Sequence, residues 1–141
     1  MRRFVLLTVL ACALAIPAAL AQQPQTPAKP AKYIPPVKGV ATIEVLQMPS
    51  KKVGNEMVTV IKVRNTSKGS INLLKADEYW YDNKMQIVSG SQYSHKKAPI
   101  QPGEIVEITL RSPVKPNLSR NQIMFRHANG DAKATPVKAF K

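Results

Sequence analysis

Cysteine is nearly absent from these 141 residues, with Cys12 standing alone. A lone thiol excludes an internal disulfide framework and any zinc site built from several thiolates. Histidine is almost as scarce: His95 and His127 are the two in the chain. Neither stands in a His-Glu-x-x-His or Gly-x-Ser-x-Gly context, so no base is paired with a nucleophile. Both are expected as surface or strand-end imidazoles. Acidic residues number 8 against 21 lysines and arginines. The acids that do cluster, Asp77, Glu78 and Asp82, cannot converge on a metal, because neighbouring strand residues point to opposite faces. No run of alternating oxygen ligands forms a calcium loop either. These absences lead to an expectation of no catalytic residues, no metal ligands, no cofactor and no small-molecule substrate. A hydrolase of unfamiliar type is the reading they disfavour most.

What is present begins with a three-part leader. Arg2 and Arg3 precede an apolar run from 4 to 16, Pro17 breaks it, and Ala19-Leu20-Ala21 supplies a small-x-small cleavage site. This is the pattern of a secretory signal peptide over 1–21. The run is shorter than the roughly 20 residues a membrane-spanning helix needs. A lipid anchor on Cys12 fits less well, since the bulky Leu10 precedes it and the apolar stretch continues beyond. The expected mature chain starts at Gln22, holds no cysteine, and is periplasmic or secreted. It keeps 19 basic against 8 acidic residues, a net charge of +11 once Arg2 and Arg3 are gone. Such a balance favours anionic partners, but the lysines are scattered along the chain and also serve solubility.

Residues 22–38 contain Pro24, Pro27, Pro30, Pro35 and Pro36 among Gln, Ala, Thr and Lys. Proline locks φ and removes a backbone donor, so this stretch reads as a disordered, extended linker. From 39 to 141 the pattern changes. No segment sustains a helical period. Short β-branched runs alternate with turn residues instead.

Strands are expected at 40–46, 57–64, 71–81, 86–88, 92–96, 105–111, 122–127 and 132–137. Asn65 to Ser70 forms a turn cluster, Asp82-Asn83-Lys84 a hairpin turn and Gln101-Pro102-Gly103-Glu104 a type II turn. Asn129-Gly130 is the strongest hairpin dipeptide. Seven or eight short antiparallel strands in about 100 residues predict an all-β fold, an immunoglobulin-like β-sandwich, with a small β-barrel as the alternative.

Val63-Arg64-Asn65 with Ser67, then Trp80-Tyr81-Asp82, Ile87-Val88 and Pro102-Gly103-Glu104 carry a family resemblance. Over roughly 57–111 the chain resembles the bacterial FxLYD-type domains, small immunoglobulin-like sandwiches of exported proteins. The chain departs from that motif at Glu78, where the family has Phe, and at Trp80, where it has Leu. Tyr81 and Asp82 match. The resemblance implies a fold and a bacterial envelope setting, and no shared activity. In that setting the Asn65-Thr66-Ser67 and Asn117-Leu118-Ser119 sequons are expected to stay unmodified.

Along the longest run, Leu74, Ala76, Glu78 and Trp80 share one face, and Leu73, Lys75, Asp77, Tyr79 and Tyr81 the other. Trp80 is expected in the core. Glu78 beside it then requires a partner, with Lys62, Arg64 and Arg126 as the candidate cations. Lys75, Tyr79 and Tyr81 would form an exposed aromatic–basic strip, the mark of an interaction surface. Lys96 and Lys97 extend the candidate surface. The reading is a non-enzymatic exported domain whose partner is another envelope protein. The alternative is a basic binder of lipopolysaccharide, acidic polysaccharide, nucleic acid or a membrane surface.

Overall fold

The structure is a computed structural model that describes residues 32–141. The expected signal peptide, Cys12 and the linker as far as 31 lie outside the described residues. Alternation of β-branched and polar residues yields strands at β1 (Ala41–Gln47), β2 (Lys51–Val53), β3 (Glu56–Asn65) and β4 (Lys75–Tyr81). The chain continues through β5 (Ile87–Ser94), β6 (Ile105–Pro113), β7 (Arg120–His127) and β8 (Gly130–Pro136). They form one curled sheet in the order β2-β3-β1-β8-β7-β4-β5, with β6 on the far edge of β3. The all-β expectation therefore holds.

The expectation of purely antiparallel pairing does not, because the sheet is mixed. β8 leaves the β7 hairpin after two pairs, Arg126↔Asp131 and His127↔Gly130. It then runs parallel to β1, from Ala41↔Ala132 to Val45↔Pro136. These are the first and last strands, so no short connection joins them and no turn signal marks the pairing.

The inward faces of the curled sheet share one core. Ala41, Ile43 and Val45 of β1, Ile61 and Val63 of β3, and Ile108 and Leu110 of β6 meet Ala76 of β4 and Phe125 of β7. Ile71, Leu74 and Ile100 close one end, all buried. Each large side chain so buried contributes about 1.5–3 kcal/mol. β5 and β6 approach without a ladder; Ser89 Oγ donates to the Pro113 carbonyl at 2.6 Å across them.

Local departures from the expected strands have physical causes. The run from 71 to 81 is broken: Ile71 bridges to Ile100, Leu73 adopts a left-handed φ of 49°, and β4 begins at Lys75. Residues 86–88 and 92–96 are not two strands but one, β5, which ends at Ser94 and leaves Lys96 outside it. Gly90 does not end it; a Cβ there would lie 2.5 Å from the Glu78 carbonyl oxygen, so glycine allows close pairing with β4.

The β7–β8 hairpin turns on Ala128-Asn129 rather than Asn129-Gly130, since His127 pairs with Gly130. Gly130 is needed for another reason. Its φ is 149°, and a Cβ would meet the Gly39 carbonyl oxygen at 2.6 Å. The folded unit also starts before the expected boundary at 39. Val37 N donates to the Ser70 carbonyl at 2.9 Å and Ser70 N to the Pro35 carbonyl at 3.0 Å.

Candidate functional site

β4 lies between β5 and β7, and its two faces have opposite fates. Ala76, Glu78 and Trp80 are turned in and buried. The outward residues are Lys75, Asp77, Tyr79 and Tyr81. Cross-strand pairing sets Tyr79 beside Gly90 and Gln122, and Tyr81 beside Ile87 and Arg120. Met124 stands opposite Asp77.

The expected Lys75, Tyr79 and Tyr81 are each half-buried on this outward side, but Asp77, 4% exposed, interrupts the row between Lys75 and Tyr79. Exposed Ile87 and Met124 widen it on either side. The Arg120 guanidinium lies 5.8 Å from the Tyr81 ring centroid, a cation–π arrangement, and Tyr81 Oη is 3.3 Å from Gln122 Oε1. Asp77 is the one acid in the row. Arg126 Nη2 donates to its Oδ2 at 2.6 Å, which neutralises it and leaves the strip basic. Lys96 and Lys97 are exposed in the loop after β5, beyond the Lys75 end of the ladder, and are not part of the sheet face. Arg120 and Met124 escape residue-level reading of β4 because they come from β7; only the pairing register brings them in.

The inward face carries a buried carboxylate. Glu78 is 1% exposed. None of Lys62, Arg64 or Arg126 reaches it: they pair with Glu107, Glu44 and Asp77 respectively. Its partners are neutral instead. Thr59 Oγ1 donates to Oε1 at 2.6 Å and Asn121 Nδ2 at 2.8 Å. Ser112 Oγ donates to Oε2 at 2.5 Å and Ser91 Oγ at 3.3 Å. A second tier follows, with Thr59 Oγ1 at 2.7 Å from Ser50 Oγ.

The physical reason is register. β3, β5, β6 and β7 each turn one small polar residue toward Glu78 of β4 at this level, and hydrogen bonds to a charged group are the strong kind. The cluster joins five strands and gives the carboxylate its full set of acceptor contacts. Its acceptor positions are taken up by protein donors, so it is a structural tie and not a base presented to a substrate. Trp80, one pair along β4, is 6% exposed as expected, and its Nε1 has no partner among the described residues.

The histidines are also structural. His127 ends β7 as expected, and its Nε2 lies 2.7 Å from the Gly39 carbonyl oxygen. A carbonyl only accepts, so this nitrogen carries a proton, an assignment made from the bonding pattern. His95 departs from the surface position expected of it. It is 7% exposed, with Nδ1 3.3 Å from Tyr93 Oη, because the Leu74 carbonyl draws its backbone N–H inward at 2.8 Å. The two rings lie on different elements, and no group of three or more His, Cys, Asp or Glu side chains among the described residues could hold a metal. Asn65 is buried too, and its Nδ2 donates to the Gly69 and Ile100 carbonyls, both at 2.9 Å. That sequon amide is engaged by the fold.

No protein-family model matches the chain, and no curated protein matches it. Among solved structures the chain is similar to IrmA from Escherichia coli, at 10% sequence identity with a TM-score of 0.50. The likeness covers 72% of this chain and 95% of that one, and at this identity it speaks to the all-β fold alone.

Proposed function

We propose that this chain is a non-enzymatic, exported β domain of the bacterial cell envelope, and that it binds another protein through the outward face of β5-β4-β7. In finer detail the fold is read as an immunoglobulin-like sandwich related in kind to the FxLYD-type domains. The open β5–β6 seam supports that reading over a closed barrel. The observation that carries the function is the outward row of Tyr79 and Tyr81, flanked by Ile87, Met124 and Arg120, on a surface that needs no aromatics for its own core. Aromatic, Met and Arg side chains are the types enriched where proteins meet. The leader sequence supports export.

The test is site-specific photocrosslinking in the native envelope. A photoreactive residue at Tyr79 or Tyr81 should capture a discrete protein, while one at exposed Thr109, on the outward side of β6, should not. Equal capture at both places, or none from Tyr79 and Tyr81, would overturn the proposal.

A further inference from the structure

β7 is paired on both edges only at its C-terminal end. From Arg120 to Phe125 one edge is laddered to β4. The other edge has no ladder partner among the described residues, because β8 peels away to β1. The opening this leaves is largely apolar. A hollow of about 260 Å³ lies there, lined by Val45, Ile123, Phe125, Ala134, Pro136 and Val137 together with Gln47, whose Nε2 donates to Asn121 Oδ1 of β7 at 3.4 Å. Ala134 and Pro136 stand opposite Ile43 and Val45 on the core side of β8, yet both are exposed. Ala134 and Pro136 thus leave the inner face open to water here.

The unpaired charges beside the open part of the edge are basic, since Glu44 on β1 is held by Arg64. Arg120 heads β7, Lys133 sits on β8 and Lys138 follows Val137. All three are exposed, and none is in an ion pair among the described residues. Asp131 lies at the closed end, opposite Arg126.

We infer that this opening is a strand-addition site: an extended, acidic segment of a partner protein pairs with the free edge of β7 along 120–125 and sets apolar side chains into the hollow. The inference rests on the reading that the domain binds a protein, and names a second contact and its chemistry. An unpaired edge offers a row of N–H and C=O groups that a strand satisfies and a small molecule does not. The hollow is also below the roughly 300–1,000 Å³ of most small-molecule sites. Strand geometry then dictates the ligand. Alternate side chains face Ile123 and Phe125 and enter the hollow, and the intervening ones point outward with Arg120 and Gln122. Apolar residues suit the first set, and Glu or Asp the second.

The probe is a short capped peptide alternating valine and glutamate, titrated into the isotope-labelled mature chain. Backbone amide shifts should move at 120–125 and 134–137 and leave 105–111 unmoved. N-methylation of alternate peptide bonds should weaken binding by about tenfold or more, the equivalent of one or two net hydrogen bonds. Lysine in place of glutamate should weaken it further, and Ala134→Phe, which fills the hollow, should abolish it. Absence of shifts at millimolar peptide, indifference to N-methylation, or shifts centred on Tyr79 and Tyr81 would each overturn the inference. The N-methylation arm needs no variant to fold.

Crosslinking separates this inference from the outward-face reading. If capture from position 79 is unchanged in Ala134→Phe, the outward face binds without the opening and strand addition is overturned. If capture from 79 fails while the peptide still maps to β7, strand addition stands and the outward-face reading falls.

Discussion

Glu78 shows how a core position can be filled by a charged group without opening the core. An aromatic side chain would fill such a space by packing. Here a carboxylate fills it and organises hydroxyls and an amide from four other strands. Removing only the carboxylate strands those donors, and an unsatisfied buried donor costs more than the hydrogen bond it once made. Glu78→Ala is therefore expected to destabilise the domain by about 2–4 kcal/mol, read from the denaturant midpoint at unchanged slope. Replacing the group on both sides behaves differently. A variant combining Glu78→Met with Thr59→Val and Ser112→Ala removes the acceptor and its two shortest donors together, and should recover most of that loss. If the combined variant is as unstable as Glu78→Ala plus the two single changes, the cluster is not a coupled unit. Asp82 is the simpler counterpart. Its Oδ1 accepts from Lys84 N at 2.8 Å and Gln86 N at 2.9 Å, so it shapes the turn into β5 by local bonding, as its residue type predicts.

At the scale of elements, local patterns were readable and long-range pairing was not. The alternation from 57 to 64 places β3, and the structure buries the face of Thr59, Ile61 and Val63; register errors would turn that face to water. The sense of β4 is different. Neither face of 71–81 is purely apolar, so the sequence argues for the Leu74–Trp80 face through Trp80 alone, and the structure buries that face. β2 carries no strand pattern in the sequence because Lys51-Lys52-Val53 has no buried face, all three residues being exposed at an edge. The outward strip was legible on β4 alone; Arg120 and Met124 join it through a register with β7 that no local signal encodes. The cations proposed for Glu78 fail for the same reason, since each finds a nearer acid on its own side of a sheet. Trp80 offers a direct check on β4. As the chain's sole tryptophan, buried beside Asn121 in the pairing, it should emit at blue-shifted wavelengths in the folded state and shift to the red on unfolding. A water-like native emission maximum would place Trp80 outside the core and require a different register for β4.

At the scale of the whole molecule the question is what the basic balance does. Lys51 and Lys52 lie on β2, opposite Val58 and Met57 at the start of β3, and are exposed. Lys96 and Lys97 lie in the loop leading to Ile100, whose carbonyl accepts from Asn65 at the end of β3. The length of β3 between them is on the order of 25 Å at about 3.3 Å per residue. That is about three Debye lengths at roughly 0.15 M salt, where the length is near 8 Å. The two lysine pairs therefore act as separate sites and not as one patch. Other basic residues are already committed: Lys62, Arg64, Arg111 and Arg126 each hold an acid. An anionic polymer held by those two pairs would have to bridge distant charges and would release few counterions at either place. Titration of residues 22–141 with heparin, lipopolysaccharide or single-stranded nucleic acid at about 0.15 M salt is expected to give no submicromolar binding. A weak attraction should appear when salt is lowered and the screening length grows. Neutralising Lys51, Lys52, Lys96 and Lys97 should leave crosslinking from Tyr79 intact while reducing that low-salt attraction. Submicromolar polymer binding at 0.15 M salt, abolished by the same four changes, would reverse the ranking and make the charge itself the working surface.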